Sequence, residues 1–373
     1  MKALLISTDS ASNEYRVTHN AYGGVAYYRL IAPQKAVAKL GHEWDHFGNN
    51  LIPYAKGDLN TFLKGYDIVI AKHMDSPHQA KNVRVACDKN RIPLIYDLDD
   101  DLLSIRDDNP AYKSYAEGEM KRVYLATNLS FADALFVSTE PLKESYGKFF
   151  KDVMGIEMPI YVLPNYNDAS LFTRFKSEKN KDVIVIGYHG SVTHNHDLKM
   201  VLPTIDRLMD EFPNVYMELV GTLTKDTIPD VFKGIKNKDR FLVRGGTPAF
   251  DNFPKLLMSL KWDIGIAPLI DDVFNRGKSH IKYMEMAMKK IPVVASDVYP
   301  YTHNAREALL AKSTNDWYKM LKMLILDKNK RDFIANRAFR HVTEELQYED
   351  RGQMWIDACE TVIKDRFEKG KRL

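Results

Sequence analysis

Short runs of apolar and β-branched residues recur along the chain, and most are followed by a longer stretch with helical spacing. In the first half the runs predict strands at Ala3 to Ser7, Glu43 to Phe47, Asp67 to Ala71, Pro93 to Asp97, Ala134 to Ser138 and Tyr161 to Leu163. In the second half the alternation starts afresh. Strands are predicted at Asp182 to Tyr188, Val215 to Val220, Asp263 to Ala267 and Pro292 to Ala295. Helices are predicted near Leu198 to Phe212, Asp251 to Leu260 and His280 to Lys289, and the chain is mostly helical from about Asn315. Strands alternating with helices specify parallel sheets covered by helices. The fold class is therefore α/β, with Rossmann-like units at residues 1–165 and 181–345, a polar linker at 166–180 and a helical segment at 346–373. In that last segment Trp355, Ala358, Val362 and Phe367 form one apolar stripe.

Two such units in series predict a cleft between them. Open parallel sheets bind ligands beyond the carboxyl ends of their strands. The loops after Ser7, Asp97, Tyr188, Val220, Ala267 and Ala295 are thus where chemistry should be sought.

Composition narrows the setting. The 373 residues include 45% hydrophobic and 28% charged side chains, an ordinary globular balance that supports sizeable cores. Cys87 and Cys359 are far apart and form no disulfide framework or metal motif. Met1 and Lys2 run directly into Ala3 to Ile6, which reads as a strand rather than a secretory leader. No apolar run reaches membrane-spanning length. These features predict a soluble protein of a reducing, cytoplasmic compartment. A net charge of +3 neither requires nor excludes an anionic partner.

The most informative stretch follows the Asp263 strand. A polar loop, FNRGKSH (274–280), leads into IKYMEMAM (281–288) and then IPVVAS (291–296). At about 100° per residue, Lys278, Lys282 and Glu285 share one helix face if the helix extends back that far. Ile281, Met284 and Met288 form another face, suited to packing on a sheet. Two cations, a carboxylate and a helix N-terminus suit a sugar nucleotide, with diphosphate on the cations and ribose hydroxyls on the carboxylate. An ordinary solvated Lys282–Glu285 pair is the bland alternative.

Three further segments complete the set. In IGYHGSVTHNHDL (186–198), Gly190 and Ser191 would let backbone amides approach a phosphate or sugar. His189, His194 and His196 fall within eight residues, but with no Cys or Glu nearby a metal set is the lesser reading. In YGGVAYYRLIAP (22–33), Gly23 and Gly24 form a tight turn before a helix carrying Arg29. In IYDLDDDLL (95–103), Asp97, Asp99, Asp100 and Asp101 cluster at a strand's carboxyl end. Such a cluster can raise pKa values, bind a cation or accept from sugar hydroxyls, while one or two members can simply cap the next helix.

Taken together, these motifs resemble GT-B glycosyltransferases similar to family 4, of bacterial and phage type. The likeness rests on the Lys-Ser-x-x-Lys-x-x-Glu helix from Lys278 to Glu285, the Pro-Val-Val-Ala-Ser strand ending at Ser296, the Gly190 segment and the Asp-rich segment. It covers Met1 to about Phe367 and implies a C-terminal helix crossing back to the first domain. It implies a donor site of Gly23, Gly24, His189, Gly190, Ser191, His194, Asn275, Arg276, Gly277, Ser279 and Glu285. Glu285 would hold the ribose. Lys278 and Lys282 would stabilise the leaving diphosphate, with Asp100 as the third candidate catalytic residue. Arg29 and Asp99 are candidate acceptor contacts. Many members carry a sugar-binding Glu eight positions before the ribose Glu; here that position is Gly277, and the Asn275 to Ser279 backbone is expected to take over part of its role.

The implied reaction moves a sugar from a UDP- or GDP-linked donor to a hydroxyl acceptor, with retention and with no cofactor or essential divalent metal. The acceptor would be a glycan or cell-surface polymer, in a bacterial or phage-infected cell. Two alternatives stand beside it. One is the same chemistry on a hydroxylated DNA base, which basic clusters at Lys233 to Arg240 and Lys328 to Arg331 permit. The other is a non-catalytic nucleotide-sugar binding protein.

Overall fold

The alternation of short apolar runs with amphipathic stretches produces two six-stranded sheets, both entirely parallel. The computed structural model describes residues 1–7, 23–48, 58–72, 74, 76–177, 182–246 and 250–369. Tyr22 of the glycine turn and residues 178–180 of the expected linker lie outside that set, as does the side chain of Phe367.

The first sheet is built from β1 (Lys2–Ser7), β2 (Glu43–Gly48), β3 (Ile68–Lys72), β4 (Leu94–Leu98), β5 (Ala134–Val137) and β6 (Ile160–Val162). Its spatial order is β2-β1-β3-β4-β5-β6. Between β1 and β2 runs α1, made of consecutive segments Gly24–Ala26, Tyr27–Ile31 and Ala32–Ala38. The middle segment is π-helical, and all five of its residues are buried. A π turn takes an extra residue per turn, so adjacent side chains can all face inward. The longer helices of this half are α2 (Pro77–Asn90), α3 (Met120–Leu129) and α4 (Glu140–Phe149). Local chemistry sets their starts: Ser76 and Thr139 each accept from a first-turn amide, with proline in that turn.

The second sheet holds β7 (Ile184–His189), β8 (Val215–Val220), β9 (Phe241–Arg244), β10 (Ile264–Ala267), β11 (Val293–Ser296) and β12 (Leu309–Ala311), in the order β12-β11-β10-β7-β8-β9. Helices α5 (Asn195–Glu211), α6 (Phe253–Ser259), α7 (Ile281–Met288), α8 (Thr314–Leu326) and α9 (Lys328–Glu345) cover it. The order reverses between β7 and β10, which is the switch point where open parallel sheets take ligands. The edge strands β9 and β12 are not predicted by the sequence pattern. Each is short and partly exposed, so neither carries a buried apolar run.

The last helix, α10 (Gly352–Lys369), leaves the second half and packs on the first. Its Trp355, Ala358, Cys359 and Val362 share a core with Ala3, Leu5, Trp44 and Phe136. Both cysteines are buried free thiols. The described part of segment 166–180 is anchored more firmly than a polar linker. Asn167 pairs with the chain at Leu346 and Tyr348, and Leu171 and Phe172 are buried, because their apolar surface is covered by the second half's core.

At the centre of the first half, Arg29 and Asp97 form an ion pair with both side chains fully buried, Nη2 to Oδ2 2.6 Å. Arg29 was expected at the acceptor. The structure corrects this: its guanidinium also donates to the Leu163 carbonyl at 2.5 Å and to Asn165 Oδ1 at 3.0 Å, and it stacks on Trp355. No surface remains for a substrate. Arg29→Met should cost about 3–5 kcal/mol in urea denaturation, because it strands a buried carboxylate. Loss of the exposed Lys2–Glu43 pair by Glu43→Gln should leave the denaturation midpoint almost unchanged. Equal effects would show that the buried pair is not the stronger constraint.

Candidate functional site

The strand ends at the switch point carry the residues singled out from the sequence. His189 ends β7, and its ring lies parallel to Trp262 with centroids 6.2 Å apart and against Phe253 at 5.2 Å. Trp262 is itself held by its indole N–H donating to the buried Glu218 at 2.8 Å. Burial, with Lys282 nearby, pushes the His189 pKa down to about 3, so the ring is neutral. Its Nε2 lies 3.3 Å from Glu285 Oε2. Glu285 sits on α7 and is buried; desolvation pushes its pKa up to about 8, against Tyr28 and Lys282.

Lys282, one turn before Glu285, is half-buried and faces the same space. Burial first, then the neighbouring Lys278, lowers its pKa to about 8. Its ammonium stands 5.7 Å from the Tyr188 ring centroid. Among the described residues it makes no hydrogen bond or ion pair. Asp197, Glu285 and Asp100 act on its charge only at longer range, and a desolvated cation without an ion-paired anion suits an anionic ligand.

Lys278 has a different situation. The helix begins at Ile281, so Lys278 does not share its face with Lys282 and Glu285 as the spacing predicted. It stands in the preceding turn, where its ammonium reaches across the cleft to Asp100 Oδ1 at 2.6 Å. The other Asp residues divide by partner. Lys72 donates to Asp99 Oδ1 at 2.6 Å, and Asp101 accepts from Ser145 at 2.6 Å. Desolvation opposes charge on both Asp99 and Asp100. At Asp99 the cations Lys72, Arg29 and Lys278 prevail and the pKa is lowered. At Asp100 desolvation and the Asp99 charge outweigh Lys278, and the pKa is raised. Two adjacent carboxyls pushed in opposite directions are suited to different acid–base roles.

Several expected ligand contacts are instead committed to the protein. His194 Nδ1 pairs with Asp197 Oδ2 at 2.9 Å, and burial lowers its pKa to about 4. Asp197 Oδ1 accepts from Ile270 N and from Asn275 Nδ2, both at 2.9 Å. Asn275 therefore braces the loop after β10 rather than presenting its amide. Arg276 is exposed and paired with Asp271 at 2.6 Å, which turns its charge away from the cleft interior. The Gly190 amide donates to Val220 O, and a Cβ there would lie 2.8 Å from the Tyr188 hydroxyl. Ser191 exposes its hydroxyl, paired with Thr193 at 2.6 Å, just before the turn that opens α5. His196 pairs with Asp108 at 2.8 Å, so the three histidines face three different partners. Among the described residues no group of three His, Cys, Asp or Glu side chains converges as a metal site.

Gly277 marks where the halves touch. Thr139 donates to its carbonyl at 2.9 Å, and a Cβ at this position would stand 2.9 Å from Leu142 Cδ2. The amides of Asn275 to Lys278 close the local turn. Beside them Asn165 donates to Ser279 Oγ at 2.9 Å. Gly23 and Gly24 open α1 against Phe250 of the second half, 3.6 Å from the Gly24 Cβ position. The sequence did not mark Tyr28, Lys72, Arg106, Asp197 or Trp262. Arg106 binds Asp108 and, at 3.0 Å, Asp272 across the cleft. Only Asp197 carried a signal, as an acid in the first turn of a helix.

No protein-family model and no curated protein matches the chain. Solved structures do. Anabaena HepE, in complex with UDP and glucose, is 15% identical, with 97% of this chain and 100% of that one covered at a TM-score of 0.61. Trehalose-6-phosphate synthase OtsA is 12% identical, covering 96% and 99%, at 0.66. A UDP-forming trehalose-phosphate synthase from Burkholderia xenovorans is 12% identical, covering 97% and 99%, at 0.63. The chain thus has the GT-B fold, two Rossmann-like units facing across a cleft with a terminal helix crossing back.

Inorganic pyrophosphate should bind in this cleft, and its affinity should fall as pH rises through about 8. Lys282 loses its proton there and Glu285 gains charge, and both changes disfavour an anion. Titration calorimetry between pH 6 and 9 checks this. Affinity flat with pH, or unchanged in Lys282→Met, would remove Lys282 from the site.

Proposed function

We propose that this chain is a glycosyltransferase that moves a sugar from a nucleotide-sugar donor to a hydroxyl acceptor. The observation that carries the reading is Lys282, a cation without an anionic partner among the described residues, one turn from the buried carboxylate of Glu285 at the switch point of the second sheet. The fold adds weight, since HepE was solved with UDP-glucose and TarM of S. aureus with UDP and α-GlcNAc-glycerol.

On this reading the ribose hydroxyls donate to Glu285, and the diphosphate lies between Lys282, Ser191 at the turn into α5, and the Gly23–Gly24 turn. His189 forms a neutral floor. The sugar reaches toward Lys278 and the Asp99–Asp100 edge, where the acceptor hydroxyl approaches from the first half. The bond from the anomeric carbon to the diphosphate oxygen breaks, and a bond from that carbon to the acceptor oxygen forms. Charge collects on the departing diphosphate, and Lys282 stabilises it, joined by Lys278 if the ligand draws it from Asp100, in a site from which closure excludes water. The acceptor's proton passes to a departing phosphate oxygen, which makes a protein nucleophile unnecessary and gives retention. A glycan acceptor and a UDP or GDP donor complete the proposal. No divalent ion takes part in it. Among the described residues no helix is long and apolar enough to cross a membrane.

Incubation with a panel of UDP- and GDP-sugars, followed by mass spectrometry, tests the proposal. At least one donor should be consumed. Lys282→Ala should lower kcat/KM by about 10²–10³, the effect of removing one charge-stabilising group. Glu285→Ala should raise the donor KM about tenfold, as expected for losing its hydrogen bonds to the ribose. Absence of turnover and hydrolysis with every donor would refute it.

A further inference from the structure

One hydrogen bond joins the two halves at the nucleotide subsite. The Tyr28 hydroxyl, from the π-helical turn of α1, donates to Glu285 Oε1 at 2.9 Å. Both side chains are about 3% exposed, and 257 residues separate them in sequence. The bond is braced from three sides. Phe250 meets the Tyr28 ring edge-on at 5.3 Å and stacks on Tyr27 at 4.4 Å. Tyr27 in turn donates to Asp168 at 2.6 Å. The Tyr348 hydroxyl donates to the Tyr28 carbonyl and lies 3.3 Å from Asn165 Oδ1.

These neighbours place the contact beside the two chain crossings near Asn165 and Tyr348. Segments next to a hinge move least when domains rotate about it. The carboxylate has about four acceptor positions. Tyr28 uses one, and His189 Nε2 at 3.3 Å is a neutral neighbour lacking hydrogen-bond alignment. Among the described residues no other hydrogen bond is made to the remaining positions, while the tyrosine ties the carboxyl group to α1.

We infer that Tyr28 is a positioning residue for the donor nucleotide: from the opposite half of the chain it orients Glu285 toward the two ribose hydroxyls. The inference rests on the donor reading above and adds a residue that the sequence motif does not contain. It makes ribose recognition depend on both halves of the fold.

A double comparison tests it. UDP, GDP and their 2′,3′-dideoxy analogues are titrated into the wild-type protein and Tyr28→Phe, which keeps the ring and its packing. Tyr28→Phe should weaken the preferred nucleotide about tenfold and leave the dideoxy analogue unchanged, since that analogue has no hydroxyls for Glu285 to accept from. Equal weakening of both ligands would assign Tyr28 a general structural role and overturn the inference. No weakening, or tighter binding, would overturn it too, the latter by making Tyr28 a competitor for the carboxylate. Should Tyr28→Phe fail to fold, Phe250→Leu loosens the same ring, and the ratio of nucleotide to dideoxy affinity should fall in the same direction. A wild-type protein that binds neither UDP nor GDP would instead defeat the donor reading itself, and this inference with it.

Discussion

The structure depends first on the buried pair of Arg29 and Asp97. Desolvating two charges is costly, and the geometry here offsets it by using the guanidinium fully. Asp97 takes two of its nitrogens, and the Leu163 carbonyl and Asn165 take the third. The Trp355 ring covers its face. Four separate pieces of chain therefore meet at one side chain: α1, the end of β4, the exit from β6 and the returning helix α10. Asn165 extends the connection, because its amide nitrogen donates to Ser279 in the loop that carries Lys278. The core of the first half and the position of the cleft loop are thus set by one network.

From this pair a row of charges runs outward toward the cleft. Lys72 lies 3.8 Å from Asp97 and 2.6 Å from Asp99. Asp100 follows, and Lys278 answers it from the other half. Asp99 and Asp100 stand side by side in this row, each held by a cation of its own. Lys282 lies beyond the end of the row, with Lys278 as its near neighbour and Asp197, Glu285 and Asp100 acting on its charge without an ion pair. A ligand diphosphate would supply that missing partner.

Closure uses contacts of two kinds. Near the crossings they are buried and aromatic, with Tyr27 and Tyr28 against Phe250. Farther out they are polar and partly exposed: Arg106 with Asp272, His196 with Asp108, and Lys278 with Asp100. Exposed pairs contribute little each and are screened by salt. The outer cleft is accordingly held by weaker contacts than the inner edge.

Much of this was legible in the residues. Period-two and helical spacing are properties of a short stretch of backbone, so the central strands, the main helices and the loops beyond strand ends follow directly from the pattern. The same holds for Lys282 and Glu285, three positions apart on one helix, and for the break that leaves Gly277 without a carboxylate. What lay beyond reach was pairing between distant positions. Arg29 reads as a ligand contact until Asp97, 68 positions away, is seen to enclose it. Lys278 and Lys282 look equivalent until Asp100, 178 positions before Lys278, takes one of them. Tyr28 carries no signal because its partner is 257 positions distant. The sequence by itself determined which strand and helix ends stand at the cleft, because local periodicity encodes them. Only the tertiary structure decided which side chains there are neutralised within the protein and which lack an ion-pair partner, because charge compensation depends on distances in space that no local pattern records.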